Sequence, residues 1–367
     1  MIPYGRQSIN RADIQAVEKV LHSDWLTQGP YIKEFENTLC RYTNAKYAVA
    51  LVNGTAALHL AYLAAGIKAG DEVITTPNTF VATANMLLAV GAKPVFSDIR
   101  SDNSNIDESK IEKLITARTR AIVPVHFAGR PCAMREILQL AKKYKLIVIE
   151  DAAHALGAVY GGKKIGGLAS DMTIFSFHPV KSITTGEGGA VLTNNSKYYK
   201  KLLILRSHGI EKNQQGFNVM KDLGYNYRLT DIQAALGASQ LKKLDSFIAR
   251  RRRIAFWYNE ELKDCAEISL PQESSESAWH LYVIRVKNQR LRLPLMKYLN
   301  QQEIATNFHY PAVYSHHYYR AHGYKTCQLK NMEDYHATCV TVPCYVKLSQ
   351  ATVKYIASKI KDFFRSI

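Results

Sequence analysis

Between residues 47 and 193 the sequence alternates short, β-branched, almost uniformly apolar runs with stretches whose apolar residues recur three and four apart. The runs fall at 47–52, 72–76, 94–99, 121–126, 146–151, 172–177 and 190–193, and helical spacing occupies 56–65, 82–90, 108–115 and 134–144. A strand without polar alternation has to be covered on both faces, and consecutive parallel strands need a crossover long enough for a helix. The pattern therefore predicts an α/β fold: a large domain with a mainly parallel central sheet flanked by helices, ligands gathering at the carboxyl ends of its strands.

After Arg228 the pattern changes. Thr230 and Gln233 form a capping-box start to a long helix running through Ile232, Ala235, Leu236, Leu241 and Leu244. That helix is expected to lead into a smaller C-terminal α/β domain, giving domains at 1–245 and 246–367. The second holds apolar runs at 282–286 and 339–343 and an amphipathic terminal helix at 353–364. No fixed-period repeat, low-complexity tract or proline-rich linker divides the chain further.

Hydrophobic residues make up 47% of the 367, enough for a sizeable core. Residues 1–15 are polar and charged throughout without an apolar leader, and no apolar run nears bilayer length, so a cytoplasmic protein with no membrane partner is expected. The six cysteines (Cys40, Cys132, Cys265, Cys327, Cys339, Cys344) lack any CxxC pair, which favours free thiols over disulfides. His336, Cys339 and Cys344, with His316, His317 and His322 upstream, match no common zinc spacing. A strand over 338–345 with Cys339 and Cys344 as small buried hydrophobes is the simpler reading, and no metal is expected. A net charge of +17, from 48 Lys and Arg against 31 Asp and Glu, favours an anionic partner. The basic residues are dispersed, however, and the one tight run, Arg250 to Arg253, reads as the solvated face of a helix. A phosphorylated small substrate is thus preferred to nucleic acid.

Three segments can carry chemistry. Lys181 follows the 172–177 run and precedes a glycine-rich turn (Gly186, Gly188, Gly189), where a side chain can enter a cleft while the backbone bends away. Lysine is the amine that condenses with an aldehyde cofactor. Asp151 closes the 146–151 run, where a carboxylate faces the ligand crevice and can keep a pyridinium nitrogen protonated; a helix cap or a core-edge ion pair are the plain alternatives. Asn53-Gly54-Thr55 turns a strand into a helix whose free N–H groups make a phosphate cup, though a simple N-cap turn has the same residues. The GK[ST] of a P-loop is missing. Together the three supply an amine, a carboxylate and a phosphate-binding dipole, the handles pyridoxal phosphate needs.

In these segments the chain resembles the DegT/DnrJ/EryC1/StrS aminotransferases, sugar-modifying enzymes of the fold type I pyridoxal-phosphate class. The likeness runs in order through Leu26-Thr27-Gln28-Gly29, Asn53-Gly54-Thr55, Thr76-Pro77-Asn78-Thr79-Phe80, Glu150-Asp151 with His154, the Lys181 segment, Arg206-Ser207-His208-Gly209, Gly224-Tyr225-Asn226-Tyr227-Arg228 and Phe308-His309-Tyr310. The resemblance implies that Lys181 forms the imine with the cofactor, Asp151 pairs with the pyridine nitrogen and Phe80 stacks on the ring. It implies that Gly54, Thr55, Ala56 and Ser176 bind the phosphate, and that Asn226 reaches the cofactor from a neighbouring subunit, hence a homodimer with shared sites. Phe80 as plain core and Asn226 as a turn residue are the alternatives. His154 touches the ring hydroxyl or caps the following turn. Tyr4, Thr27, Gln28, Arg228, His309, Tyr310 and Tyr314 fall in segments that line the sugar-nucleotide pocket of similar proteins.

Residues 80–88 and 175–185 are most similar to 4-aminotransferases of the pseudaminic acid pathway. That likeness implies amino transfer from L-glutamate to a UDP-linked 4-keto-6-deoxy-N-acetylhexosamine, with pyridoxamine phosphate between the two half-reactions. Two other readings stand beside it. A sugar dehydratase of the same fold carries histidine where this chain has Lys181, and a nucleic-acid-binding or regulatory protein could reuse the scaffold.

Overall fold

A computed structural model describes residues 1–324 and 329–367, so Cys327 lies outside the described residues. The alternating segments form one seven-stranded sheet: β1 (Tyr47–Leu51), β2 (Glu72–Thr75), β3 (Lys93–Phe96), β4 (Thr119–Val123), β5 (Ile147–Asp151), β6 (Met172–Ser176) and β7 (Gly189–Thr193). Their order is β1-β7-β6-β5-β4-β2-β3. The pairs from β3 through β6 are all parallel, whereas β7 runs antiparallel to both β6 and β1. The cause is the connection. No helix lies between β6 and β7, so the chain turns back beside β6 instead of crossing over.

Both faces are covered. Along β5, Val148 joins the core beneath the Pro30–Thr43, Met134–Tyr144 and Asp231–Leu241 helices, while its neighbour Ile149 joins the core beneath the Gly54–Ala64 and Ser196–Arg206 helices. Successive strand residues point to opposite faces, so a continuous apolar run fills two cores at once.

The helix expected to run unbroken from Thr230 past Leu244 is two helices. Thr230 and Gln233 do form the capping box, but the first helix ends at Leu241 and a second spans Leu244–Leu262. At the break Lys243 N–H bonds the Gln240 carbonyl (3.0 Å), a tightened last turn, and its ammonium pairs with buried Asp13. The second helix is shared between cores. Leu244, Phe247 and Ile248 pack with the central sheet, while Ile254, Tyr258 and Leu262 pack with a second cluster. That cluster is built on a small antiparallel sheet, β8 (Ile268–Ser269), β9 (Tyr282–Val286) and β10 (Cys339–Val342), and on the closing Gln350–Arg365 helix. Cys339 and Cys344 are buried as expected, although the strand is shorter than 338–345.

The reading of Arg250 to Arg253 as a solvated face is corrected. Arg251 is 1% exposed and its Nη1 donates to the carbonyls of His280 (3.0 Å), Cys344 (2.9 Å) and Trp279 (3.3 Å). Arg250 holds Leu348 O and Arg252 holds Ser277 O, leaving Arg253 as the exposed member. The local helical period could not show that three of the four face loops folded back from elsewhere in the chain.

Candidate functional site

Ligand chemistry gathers where the parallel strands end. Glu150 and Asp151 are adjacent on β5 and so face opposite ways. Glu150 is fully buried and accepts from Thr173 (2.9 Å), Ser170 and His126 Nε2 (2.7 Å). Cys132 N–H occupies His126 Nδ1 (3.0 Å), so the His126 proton sits on Nε2. Glu150 is thereby fully engaged in holding the strand ends.

Asp151 turns the other way, into a cavity of about 790 Å³. Its Oδ2 accepts from the Thr83 hydroxyl (2.6 Å) and its Oδ1 from Ala153 N–H (3.1 Å). Because a carboxylate cannot donate, the Thr83 proton points to Asp151, and Thr79 (2.7 Å) donates to Thr83 in turn. This two-threonine relay was not foreseen. It comes from far upstream, with Thr83 in the first turn of the Ala82–Ala89 helix and Thr79 in the loop that leads into it, and no sequence pattern pointed to it.

Lys181 stands on the loop between β6 and β7. Three bonds to Phe177 or across it keep the loop rigid: Phe177 N–H to Gly188 O (2.8 Å), Thr185 N–H to Phe177 O (3.0 Å) and the Thr184 hydroxyl to Phe177 O (3.0 Å). Burial lowers the Lys181 pKa from 10.5 to about 8, with Asp151 opposing part of that fall. The amine is therefore free to exchange protons near neutrality.

The Asn53-Gly54-Thr55 turn forms the third wall. Asn53 caps the Gly54–Ala64 helix, its side chain accepting from Ala56 N–H (2.8 Å). A Cβ on Gly54 would approach the Ser176 Cβ to 3.0 Å, and one on Gly189 would meet the Asn53 carbonyl at 2.4 Å. Glycine at both positions lets the helix N-terminus, β6 and β7 converge closely, leaving a cradle lined by Gly54, Thr55 and Ser176.

Above the floor, Tyr4, His154, His309 and Tyr310 close the cavity, with Phe80 at its edge. Phe80 is 58% exposed, which removes the plain-core alternative. The Tyr310 hydroxyl and His154 Nε2 are 3.0 Å apart. Burial, then Lys181 and His309, holds His154 far below the usual histidine pKa, and burial with Lys181 pushes His309 down to about 4. Tyr4 is brought in by the first residues of the chain, where Ile2 bridges Ile304 and the Tyr4 carbonyl accepts from Cys344 N–H (3.1 Å). His280 also lines the cavity, and no sequence pattern pointed to it.

The remaining expected residues lie elsewhere. Ala56 does not line the cavity, and its N–H is engaged by Asn53. Tyr314 is buried, its ring 6.1 Å from that of Phe96, instead of on the cavity wall. Thr27, Gln28, Asn226 and Arg228 lie outside the lining altogether: Thr27 bridges Thr230, Arg228 bridges Leu51 and Asn226 bridges Ser207. Thr27, Gln28 and Asn226 are exposed. Among the described residues no group of three or more His, Cys, Asp or Glu is placed to hold a metal, and no helix is long and apolar enough to cross a membrane.

A seven-stranded sheet with one reversed strand, carrying a recessed lysine, an oriented aspartate and a glycine-lined helix start around one cavity, defines a pyridoxal-phosphate transferase of fold type I. The chain belongs to the DegT/DnrJ/EryC1/StrS aminotransferase family, whose model matches residues 7–361. It is 41% identical over 374 aligned positions to a UDP-4-amino-4,6-dideoxy-N-acetyl-beta-L-altrosamine transaminase of Campylobacter jejuni, covering 100% of this chain and 98% of that one. It superposes on Helicobacter pylori PseC, an aminotransferase involved in the biosynthesis of pseudoaminic acid, with a TM-score of 0.95, 37% identity and full coverage of both chains. A putative sugar aminotransferase of Streptococcus pneumoniae, Spr1654 in its PMP form, gives a TM-score of 0.96 at 30% identity, again over the whole of both chains. The chain is thus a pyridoxal-phosphate-dependent nucleotide-sugar aminotransferase, and neither the dehydratase nor the nucleic-acid reading is favoured.

Proposed function

We propose that this aminotransferase moves the amino group of L-glutamate to the 4-keto carbon of a UDP-linked 4-keto-6-deoxy-N-acetylhexosamine, glutamate leaving as 2-oxoglutarate. The observation that carries the reading is the convergence of Lys181, Asp151 and the Gly54–Thr55 turn on one cavity large enough for a cofactor and a sugar. The relatives from Campylobacter and Helicobacter, which match over the full chain, supply the substrate class.

Bound pyridoxal phosphate supplies an aldehyde to carry nitrogen and a ring that accepts an electron pair. Lys181 would hold it covalently through its amine and, when that amine is free, would serve as the group that carries protons in the cavity, a task suited to an amine whose pKa is about 8. Asp151, fixed by Thr83, would keep a proton on the ring nitrogen. Gly54, Thr55 and Ser176 receive the phosphate at the helix N-terminus. Phe80 and His154 would border the ring, and Tyr4, His309 and Tyr310, which line the same cavity, would border the sugar.

Thr27, Gln28, Asn226 and Arg228 act, in this reading, in the cavity of a second copy. Support comes from the exposure of Thr27, Gln28 and Asn226 and from large apolar neighbours: Trp25 is 54% exposed, Met220 62% and Leu223 70%. Bare apolar surface of this kind favours a partner, here a homodimer with shared sites. The chain divides into domains 1–245 and 246–367, and free thiols at Cys40, Cys132, Cys265, Cys339 and Cys344 suit a reducing cytoplasm.

The test is to incubate purified, cofactor-loaded protein with candidate UDP-4-keto sugars and ¹⁵N-labelled L-glutamate. A product containing ¹⁵N at carbon 4, identified by mass and NMR, is expected. Loaded protein that aminates none of them would overturn the substrate assignment.

A further inference from the structure

The imidazoles around Lys181 are not equivalent. His309 Nδ1 is engaged with the Thr341 hydroxyl (2.9 Å) and His154 Nε2 with that of Tyr310 (3.0 Å). By contrast, His154 Nδ1 and His280 Nδ1 are both buried and, among the described residues, have no hydrogen-bond partner. Their rings lie 4.3 Å apart, inclined by 40°, and both line the cavity. Buried nitrogens of this kind are seldom left unsatisfied, so two side by side on a ligand cavity mark the seat of a polar group that arrives with the ligand.

His280 is held firmly in place. Its N–H donates to Ala128 O (2.9 Å) and its carbonyl accepts from Arg251 (3.0 Å), the buried guanidinium that also ties down Trp279 and Cys344. The ring of His280 therefore backs that of His154 from a fixed position. The charged and titratable groups facing the pair are Lys181, His309, Tyr310 and Arg251, and burial together with the cationic members keeps both imidazoles neutral. A neutral imidazole has one donor and one acceptor nitrogen. Tyr310, whose pKa is raised by burial and by Asp151, keeps its proton and is able to donate it to His154 Nε2; in that tautomer the ring proton of His154 sits on Nδ1, the nitrogen left open toward the cavity.

We propose that His280 is a positioning residue for the cofactor: ring against ring, with its own Nδ1 open beside that of His154, it fixes the hydrogen bond from His154 to the phenolic oxygen of bound pyridoxal phosphate. The inference rests on the cofactor assignment above. A donor at that oxygen draws off charge that otherwise helps retain the proton on the lysine–cofactor nitrogen. A misplaced donor leaves that proton more firmly held.

The test is a pH titration of the absorbance of the lysine-linked cofactor in loaded wild type, His280→Phe, His280→Asn and His280→Gln. Phenylalanine keeps a packing ring without nitrogen, asparagine restores a polar atom at the δ position, and glutamine places one at the ε position. The Phe and Gln variants should raise the titration midpoint by about one pH unit, a tenfold change in proton affinity, while Asn stays near wild type. Cofactor content and melting temperature should hold in every variant that folds. If Phe fails to fold, the Asn and Gln pair decides. A wild-type midpoint in both Phe and Gln, or equal shifts in Asn and Gln, would overturn the positioning role. A wild-type spectrum that Lys181→Ala leaves unaltered would instead bring down the cofactor assignment on which it rests.

Discussion

Two sets of residues belong to the same family likeness but occupy different ground. The floor of the cavity (Gly54, Asp151, Ser176, Lys181) is assembled from a single chain, each residue standing at a strand end or the turn that follows it. The strip formed by Thr27, Gln28, Asn226 and Arg228 is held to its own chain by isolated backbone bridges at Thr27, Asn226 and Arg228 and lines no part of that cavity. Order along the sequence does not separate the two sets, and topology does. Residues at strand ends point into the crevice of their own sheet, whereas the strip would serve a site only in the proposed homodimer, where a second molecule would bring one to it.

The sharpest probe of the floor is Lys181→Ala. Turnover should fall by more than about 10⁴-fold, beyond what a single general acid–base group supplies, with the circular dichroism spectrum and melting temperature unchanged. Residual turnover near wild type would mean that the floor is not the reacting centre. Asp151→Asn, which keeps shape and removes charge, should lower turnover by roughly 10²–10³-fold, the scale of losing one preorganised electrostatic contact.

The strip is tested by mixing. Lys181→Ala and Asn226→Ala chains, each impaired alone, should form hybrid dimers in which one of the two sites is intact, restoring about a quarter of wild-type activity after random exchange. No recovery, with hybrids demonstrated by native mass spectrometry, would remove the strip from the partner's site.

A smaller effect is expected from pH. The Lys181 pKa is lowered from 10.5 to about 8, so the rate of cofactor attachment should rise through pH 8 and level off above it. In Asp151→Asn the midpoint should move lower, because the carboxylate that supports the ammonium is gone. Stability of the cofactor-free protein carries the same signature. Between about pH 8 and 10.5 the unfolded chain holds a proton that the folded chain has released, so the melting temperature should gain with pH across that window and not below it. A flat profile would show that Lys181 is better solvated than the cavity geometry implies.

Much of this was legible beforehand. Continuous apolar strands separated by helical spacing gave the parallel sheet, and Lys181 and Asp151 were marked by their places after such strands. What escaped depended on contacts distant in sequence. The reversal of β7 follows from a loop with no helix in it, Thr83 reaches Asp151 from 68 residues away, and Arg251 is drawn inward by carbonyls from three later residues. Ala56 matched the phosphate-binding turn, yet the Asn53 cap already occupies its amide. His280 had no signal at all, since a lone histidine ahead of a strand is indistinguishable from any core residue.

One measurement bears most directly on the central claim that Lys181 is the attachment point. Protein loaded with pyridoxal phosphate is reduced with borohydride, digested and mapped by mass spectrometry. The account predicts a single pyridoxyl adduct on the peptide containing Lys181. An adduct on another lysine, with Lys181 unmodified in protein of full activity, would contradict it.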